Sequence, residues 1–203
     1  MVHILHIDSS PRAERSHSRT LSYEFITAWK TAHPQDTVTY RDLGHHPVPH
    51  VDESWIAAAY TPPEARTPEL NEVLKTSDSL VDELLAADCY VFAIPMHNFN
   101  VPSTFKAYID QIVRVRRTFT MDGKGLVEGK KMLIITARGF SYQQDSKWAT
   151  YDFQEPFLRA IFGFIGITDI RFINAEGINL GEDSRTQSLA RAGVAIKDIL
   201  ASW

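Results

Sequence analysis

The chain has 203 residues, 44% hydrophobic and 23% charged, the profile of a globular protein whose core is large enough to need no staples. A formal net charge of -4 with no basic half weighs against nucleic acid as a partner, and no run approaches the roughly 18 apolar residues of a membrane span. Cys89 is the single cysteine, so no internal disulfide can form; that suits a reducing compartment, and without a leader-like N-terminus the cytoplasm is the expected location.

Val2 to Ile7 is a short apolar run that Asp8-Ser9-Ser10-Pro11 stops, which predicts a buried strand. A helix follows from about Ser18 to His33, with Leu21, Phe25, Ala28 and Trp29 at helical spacing and Pro34 closing it. Val38 and Tyr40 alternate in a second strand, Thr37 to Leu43. Strand, helix, strand so early predicts a right-handed crossover and a parallel sheet. Residues 44–67 interrupt this rhythm with prolines, Trp55 and Tyr60, and one or two helical turns over Glu53 to Tyr60. So long a connection is uncommon unless it does something; it reads as an active-site rim or oligomer contact, or as a plain surface excursion.

Thr67-Pro68 starts the next helix, with Leu70, Val73, Leu74, Leu80, Val81, Leu84 and Leu85 as its stripe. Cys89 to Ile94 is a third buried strand ended by Pro95, and Cys89 within it reads as buried and inert. Phe105, Tyr108, Ile109 and Ile112 mark a helix, and Lys131 to Thr136 a fourth strand. Trp148 to Ile165 holds an apolar helix that Pro156 either breaks or begins. Asp169 to Asn174 is a fifth strand, and Leu189, Gly193, Ile196 and Leu200 form the inner face of a closing helix. The fold class is therefore α/β, a three-layer sandwich on a five-stranded parallel sheet, for which the order 2-1-3-4-5 is common. Arg114, Arg116 and Arg117 are the one basic cluster, either a solvated helix end or an anion-attracting rim.

Ligands of such sheets bind beyond the carboxyl ends of the strands, which selects three loops. The first, Ser9 to Ser18, has no dinucleotide glycines and no Walker lysine. It has hydroxyls and a helix start: Ser18 or Ser16 can cap the helix while Ser10, Ser16 and free amides cradle a phosphate, or the loop is only a cap and a turn. The second, Pro95 to Val101, offers Asn98 to a heterocycle's nitrogens and carbonyls and Met96 and Phe99 to its apolar edges, or its asparagines are turn and cap residues. The third, Ala137 to Gln144, carries Gly139, which lets a backbone approach a ring, and Phe140 and Tyr142, which either wall a substrate or pack the loop. The eight histidines form no spaced metal signature, and His45, His46 and His50 read as solvated loop residues.

The opening HILHIDSSPR, SHS at 16–18, PMHNFNVPSTFKAYID at 95–110, GLVEGKK at 125–131, ARG at 137–139 and FGFIGITDIRFINAEGI at 162–178 together resemble the FMN-dependent NADH-azoreductases of the flavodoxin-like quinone reductase superfamily, nearly end to end. The resemblance implies one flavodoxin-like domain over residues 1–203 that binds FMN noncovalently. It places phosphate contacts on Ser10, Ser16, His17 and Ser18, ring contacts on Met96, His97, Asn98 and Phe99, and a further stretch on Ala137, Arg138, Gly139 and Phe140. It also implies a homodimer with active sites at the interface, where Phe119 acts across it, NADH as donor with NADPH possible, and quinones or aromatic azo compounds as acceptors. Departures fall at His97, often tyrosine in the family, at Ala137, a serine in some relatives, at Phe140, usually the second glycine of a pair, and at Arg117, commonly glycine. The segment Phe119 to Gly125 is also shorter than in many members.

The implied cycle is ping-pong: NADH transfers a hydride to the flavin, NAD leaves, and a flat acceptor then takes two electrons in its place. No catalytic triad is needed. Phe119, Phe140 and Tyr142 are candidate walls for a planar substrate, and His97 a candidate proton donor if it faces the pocket. The competing expectations are a flavin-binding electron carrier or sensor with little turnover, and a phosphate binder without redox function.

Overall fold

β-branched and aromatic runs bounded by Pro, Gly and Asp become five parallel strands, His3–Asp8 (β1), Thr37–Asp42 (β2), Cys89–Ala93 (β3), Lys131–Ala137 (β4) and Asp169–Ala175 (β5), in a computed structural model that describes residues 1–203. They pair in the order β2-β1-β3-β4-β5, the common arrangement for five strands alternating with helices. The register sets Asp8 level with Asp42 and Ala93, and Ala137 level with Ala175. The loops that follow the strands therefore leave from one edge.

Alternation along each strand divides the apolar residues between two faces. Leu5, Ile7, Tyr90, Phe92, Met132 and Ile134 join one core beneath the helices Pro68–Ala86 (α3), Ser103–Ile112 (α4) and Gln154–Phe164 (α5). Ile4, Cys89, Val91, Leu133 and Ile135 join the other beneath His17–Ala32 (α1) and Glu182–Leu200 (α6). Edge strand β2 stays half-buried, because α1 reaches over β3 and β4 rather than over it. Burial pushes the Cys89 thiol up to about 12, so it stays protonated and unreactive.

The helix boundaries correct several details. The buried stripe of α1 is Leu21, Ser22, Phe25 and Trp29, and Ala28 is exposed. The inner face of α6 centres on Ser188, Ala192 and the expected Ile196, with Leu189 and Leu200 partly buried beside them; the short Ser188 and Ala192 let the helix pack closely. Pro156 is the third residue of α5, where its missing N–H is one that no helical carbonyl would have accepted. It begins the helix; the Asp152 carboxylate accepts from the Gln154 and Glu155 amides on either side of the turn.

The excursion at 44–67 contains a helix at Glu53–Tyr60 (α2) and is pinned from below. The Trp55 indole donates to Gln111 Oε1 (2.9 Å) and the Gln111 amide donates to the Pro49 carbonyl (2.9 Å). Arg114 is 1% exposed, donates to Ser77 Oγ and Asp78, and lies over the Trp55 ring. Arg117 bridges Asp78 and Asp82. Arg114 and Arg117 are thus neither a solvated end nor a free rim, whereas Arg116 reaches only the Tyr60 carbonyl at 3.4 Å. The first two fasten the end of α4 to α3.

Phe92 is fully buried, with edge-on contacts to Phe105, Tyr108 and Phe162 from two different helices. Phe92→Ala is expected to lower the unfolding free energy of the flavin-free protein by about 3–5 kcal/mol in urea denaturation. A loss below about 1 kcal/mol would mean that this core is not the keystone described.

Candidate functional site

The first loop ends in a helix cap that differs from the simplest expectation. Ser16, not Ser18, is the N-cap of α1, its Oγ accepting from the Arg19 amide (3.4 Å). Ser18 is fully buried with its Oγ 3.3 Å from that of Ser16. The first helical bond is Thr20 N–H to the Ser16 carbonyl, so the His17 and Ser18 amides have no partner within the helix. Ser10 Oγ accepts from the Arg12 amide (3.2 Å), which leaves its proton free to donate. Hydroxyls, unpaired amides and a helix N-terminus in one place suit an anion.

The second loop is a tight turn. His97 and Asn100 exchange backbone hydrogen bonds (2.8 and 3.0 Å), and both residues between them have positive φ, Asn98 at 48° and Phe99 at 69°. This is the sign pattern of a type I′ turn. Asparagine tolerates it; phenylalanine does so at a cost of order 1–3 kcal/mol. The Phe99 ring rests on Tyr151, centroids 5.2 Å apart, and the Phe99 carbonyl accepts from the Phe153 amide. Gln154 Nε2 donates to the Ile94 carbonyl (3.1 Å) and fixes the base of the loop.

The third loop is held from below by Arg138, whose side chain is 1% exposed among Asp152, Glu155 and Glu176. Removing one partner of such a buried cluster is costly, so this guanidinium orders the loop and is not available to a phosphate. Backbone bonds from Gly177, Ile178 and Asn179 to the carbonyls of Phe140, Arg138 and Gly139 tie it to the turn after β5. A Cβ on Gly139 would lie 2.8 Å from Asn179 Nδ2, so glycine admits that side chain. Tyr142 is 8% exposed and packs under Arg138.

These loops border one cleft of about 200 Å³, lined by Ser10, Ser16, His17, Met96, His97, Ala137, Arg138 and Gly139 among the expected residues, and by Arg12, Arg15 and Asn179. That is below the roughly 300–1,000 Å³ of typical ligand pockets. A second hollow of about 510 Å³ shares His97 and adds Asn98, Asn100 and Lys106. Ser18 stands behind the cleft. Phe99 and Phe140 border neither space; they are the ends of an aromatic strip, Phe140 stacked on Trp148 (4.8 Å, 14°), Trp148 against Tyr151, and Tyr151 against Phe99. Phe119 is apart from all of these and packs on Phe164 at 4.8 Å. Sequence reasoning missed Trp148, Tyr151 and Asn179. The first two had a signal, aromatics in a polar run before α5 that no apolar stripe accounts for.

A larger hollow of about 700 Å³ between α1 and β2 contains none of the expected site residues. The Asp8 carboxylate at its floor is already saturated by Arg19, Tyr40 and Ser22. The three-loop cleft is the better site because it holds donors without partners.

Comparison with known proteins agrees with this architecture. The chain belongs to the family described as having the flavodoxin-like fold, whose model matches residues 2–200. It is 68% identical, over the whole of both chains, to the FMN-dependent NADH:quinone oxidoreductase of Nostoc punctiforme. It is 63% identical over both full lengths to the FMN-dependent NADH:quinone oxidoreductase 2 of Trichormus variabilis. Among solved structures, an azoreductase from Bacillus anthracis superposes with a TM-score of 0.90 at 26% identity, covering all of both chains. An FMN-dependent NADH-azoreductase of the same organism, in complex with FMN, superposes with a TM-score of 0.84 at 25% identity, covering 98% of this chain and 99% of that one.

Burial, then Arg185 and Arg12, push the His17 imidazole below its ordinary value; burial and then Arg12 do the same to His97. Both are proton-poor when folded, so the unfolded chain binds more protons below about pH 6.5. The associated stability is present above that pH and lost on acidification. The thermal midpoint of the flavin-free protein is therefore expected to fall more steeply between about pH 7.5 and 5.5 than that of the His17→Asn/His97→Asn variant. Equal slopes would contradict this placement of the imidazoles.

Proposed function

We propose that the chain is a cytoplasmic FMN-dependent oxidoreductase, one flavodoxin-like domain over its whole length, that carries two electrons from NADH to quinones and aromatic azo compounds by a ping-pong mechanism. The observation that carries this reading is the meeting of unpaired donors from the first loop with the shaped second and third loops in one cleft. Relatives at 63% identity and above named for FMN, NADH and quinone support it, as do azoreductase neighbours.

Ser10, Ser16 and the His17 and Ser18 amides hold the phosphate, with Arg12 and Arg15 at the mouth balancing its charge. Met96, His97, Ala137 and Gly139, which line the cleft, would hold the ring, with Asn98 from the adjoining hollow and Phe99 and Phe140 flanking it. The chemistry FMN supplies when bound is two-electron transfer between NADH and the acceptor. The protein fixes the stacking geometry. Phe140, stacked on Trp148 outside both hollows, would flank a planar acceptor only where it extends beyond the cleft; Tyr142, packed under Arg138, serves the loop. His97 has a lowered proton affinity, so at neutral pH it presents a neutral N–H to an acceptor oxygen while solvent supplies the protons. NADH is the donor that the relatives' names support, and the arginines at the mouth would serve NADH or NADPH alike.

The working unit is a homodimer. Trp55, Ile56 and Tyr60 of α2 and Phe157 and Ile161 of α5 line an apolar groove of about 450 Å³ beside the second hollow, with Ile56 and Tyr60 at least half exposed. A second copy seated there completes the rim of the site and brings Phe119 of one copy toward the other's pocket.

Initial velocities with NADH and a benzoquinone are expected to give parallel double-reciprocal lines. No turnover by the FMN-loaded protein, with electron exchange only toward a protein partner, would replace the enzyme reading by that of a carrier. Ile56→Glu is expected to shift the protein from dimer to monomer in analytical ultracentrifugation and to lower quinone turnover. A variant that stays dimeric would move the interface elsewhere. Phe140→Gly is expected to change the ratio of quinone to azo-dye turnover while FMN affinity stays within about threefold, less than one hydrogen bond. Equal loss of both would place Phe140 in the cofactor site.

A further inference from the structure

The Ser10 carbonyl is gripped by groups that do not line the cleft. Arg19 Nη2 donates to it at 2.8 Å, and a Cβ on Gly44 would lie 2.0 Å from the same oxygen. Arg19 is itself fixed. Its Nη1 donates to Asp8 (3.1 Å), to the Tyr40 hydroxyl (2.6 Å) and to Asp42 Oδ2 (2.8 Å), and its Nη2 donates to Asp42 Oδ1 (2.9 Å). The two-pronged pair with Asp42 is the strong, directional kind. Asp42 in turn accepts from the Gly44 amide and from the His45 amide and imidazole. Burial raises the Asp42 carboxyl, but the bonds from Arg19 and His45 outweigh it and hold the group well below the usual carboxylate range.

One guanidinium thus links the ends of β1 and β2, the first turn of α1 and the backbone of Ser10. Its charge is spent on two carboxylates, so it acts on an anion by placing the loop and not as a free cation. We propose that Arg19, locked by Asp42, is a positioning residue for the cofactor phosphate: it holds the Ser10 peptide so that the Ser10 hydroxyl and the α1 amides converge on one point. Gly44 is required because the turn after β2 passes against that same carbonyl. The proposal rests on the phosphate lying in the first loop.

The test compares FMN with riboflavin, which has the same ring and no phosphate, by fluorescence titration of the flavin-free protein. The wild type is expected to prefer FMN. Arg19→Met is expected to bind FMN at least about tenfold more weakly, the scale of one charge-assisted hydrogen bond, with riboflavin affinity unchanged. Arg19→Lys, which keeps one of the contacts, is expected to recover part of the loss. If Arg19→Met retains FMN affinity, or loses both flavins equally, the positioning role is overturned. Should Arg19→Met lack native circular dichroism, Asp42→Asn takes its place with the same selective loss expected, and an unselective one decisive against the proposal. A wild type that does not distinguish the two flavins would overturn the phosphate cradle itself, and this proposal with it.

Discussion

The pairing of β1 with β2 on one side and β3 on the other is the constraint on which the site depends. The crossover from β1 to β2 runs through α1 on one face, and that from β2 to β3 runs through α3 on the opposite face. Right-handed crossovers leaving in opposite directions part the loops at their shared edge. A crevice opens there because no connection covers it. Each loop that borders it is then shaped by local chemistry: a serine cap, a turn with two positive φ values, and a buried arginine among carboxylates.

This division of labour places stiffness below and unpaired donors above. Arg138, Gln154 and Arg19 fasten the three loops to the sheet with side chains that are buried or half-buried. The groups left without partners include amides, whose directions the backbone fixes, beside serine hydroxyls with a single χ1 to settle. A cofactor bound by such groups loses little entropy in the protein. The same logic explains why Phe99 can occupy a costly backbone region: Tyr151 and the Phe153 amide hold it there.

Much of this was legible in the sequence because period and punctuation carry it. Buried strands announce themselves as apolar runs ended by Pro95 or by Asp8-Ser9-Ser10; the strand count with intervening helices makes 2-1-3-4-5 the common arrangement, but the order itself is not written in the pattern. Ser16 and Ser18 were both visible as caps, but choosing between them needed the backbone angles of Ser16. Arg114 was illegible as a fastener, since its partners Ser77 and Asp78 lie on another helix and Trp55 on a third. Trp148 escaped for a related reason: the aromatics Trp148 and Tyr151 in a polar run signal a packing role, but the partner Phe140 is set by tertiary packing.

The central claim is that the loops after β1, β3 and β4 hold one flavin mononucleotide between them. Hydrogen–deuterium exchange of the flavin-free protein with and without FMN tests it most directly. New protection is expected at residues 10–18, 95–100 and 137–140 together. Protection confined to the hollow between α1 and β2, around Tyr23, Val38 and Tyr40, with the three loops unchanged, would contradict it.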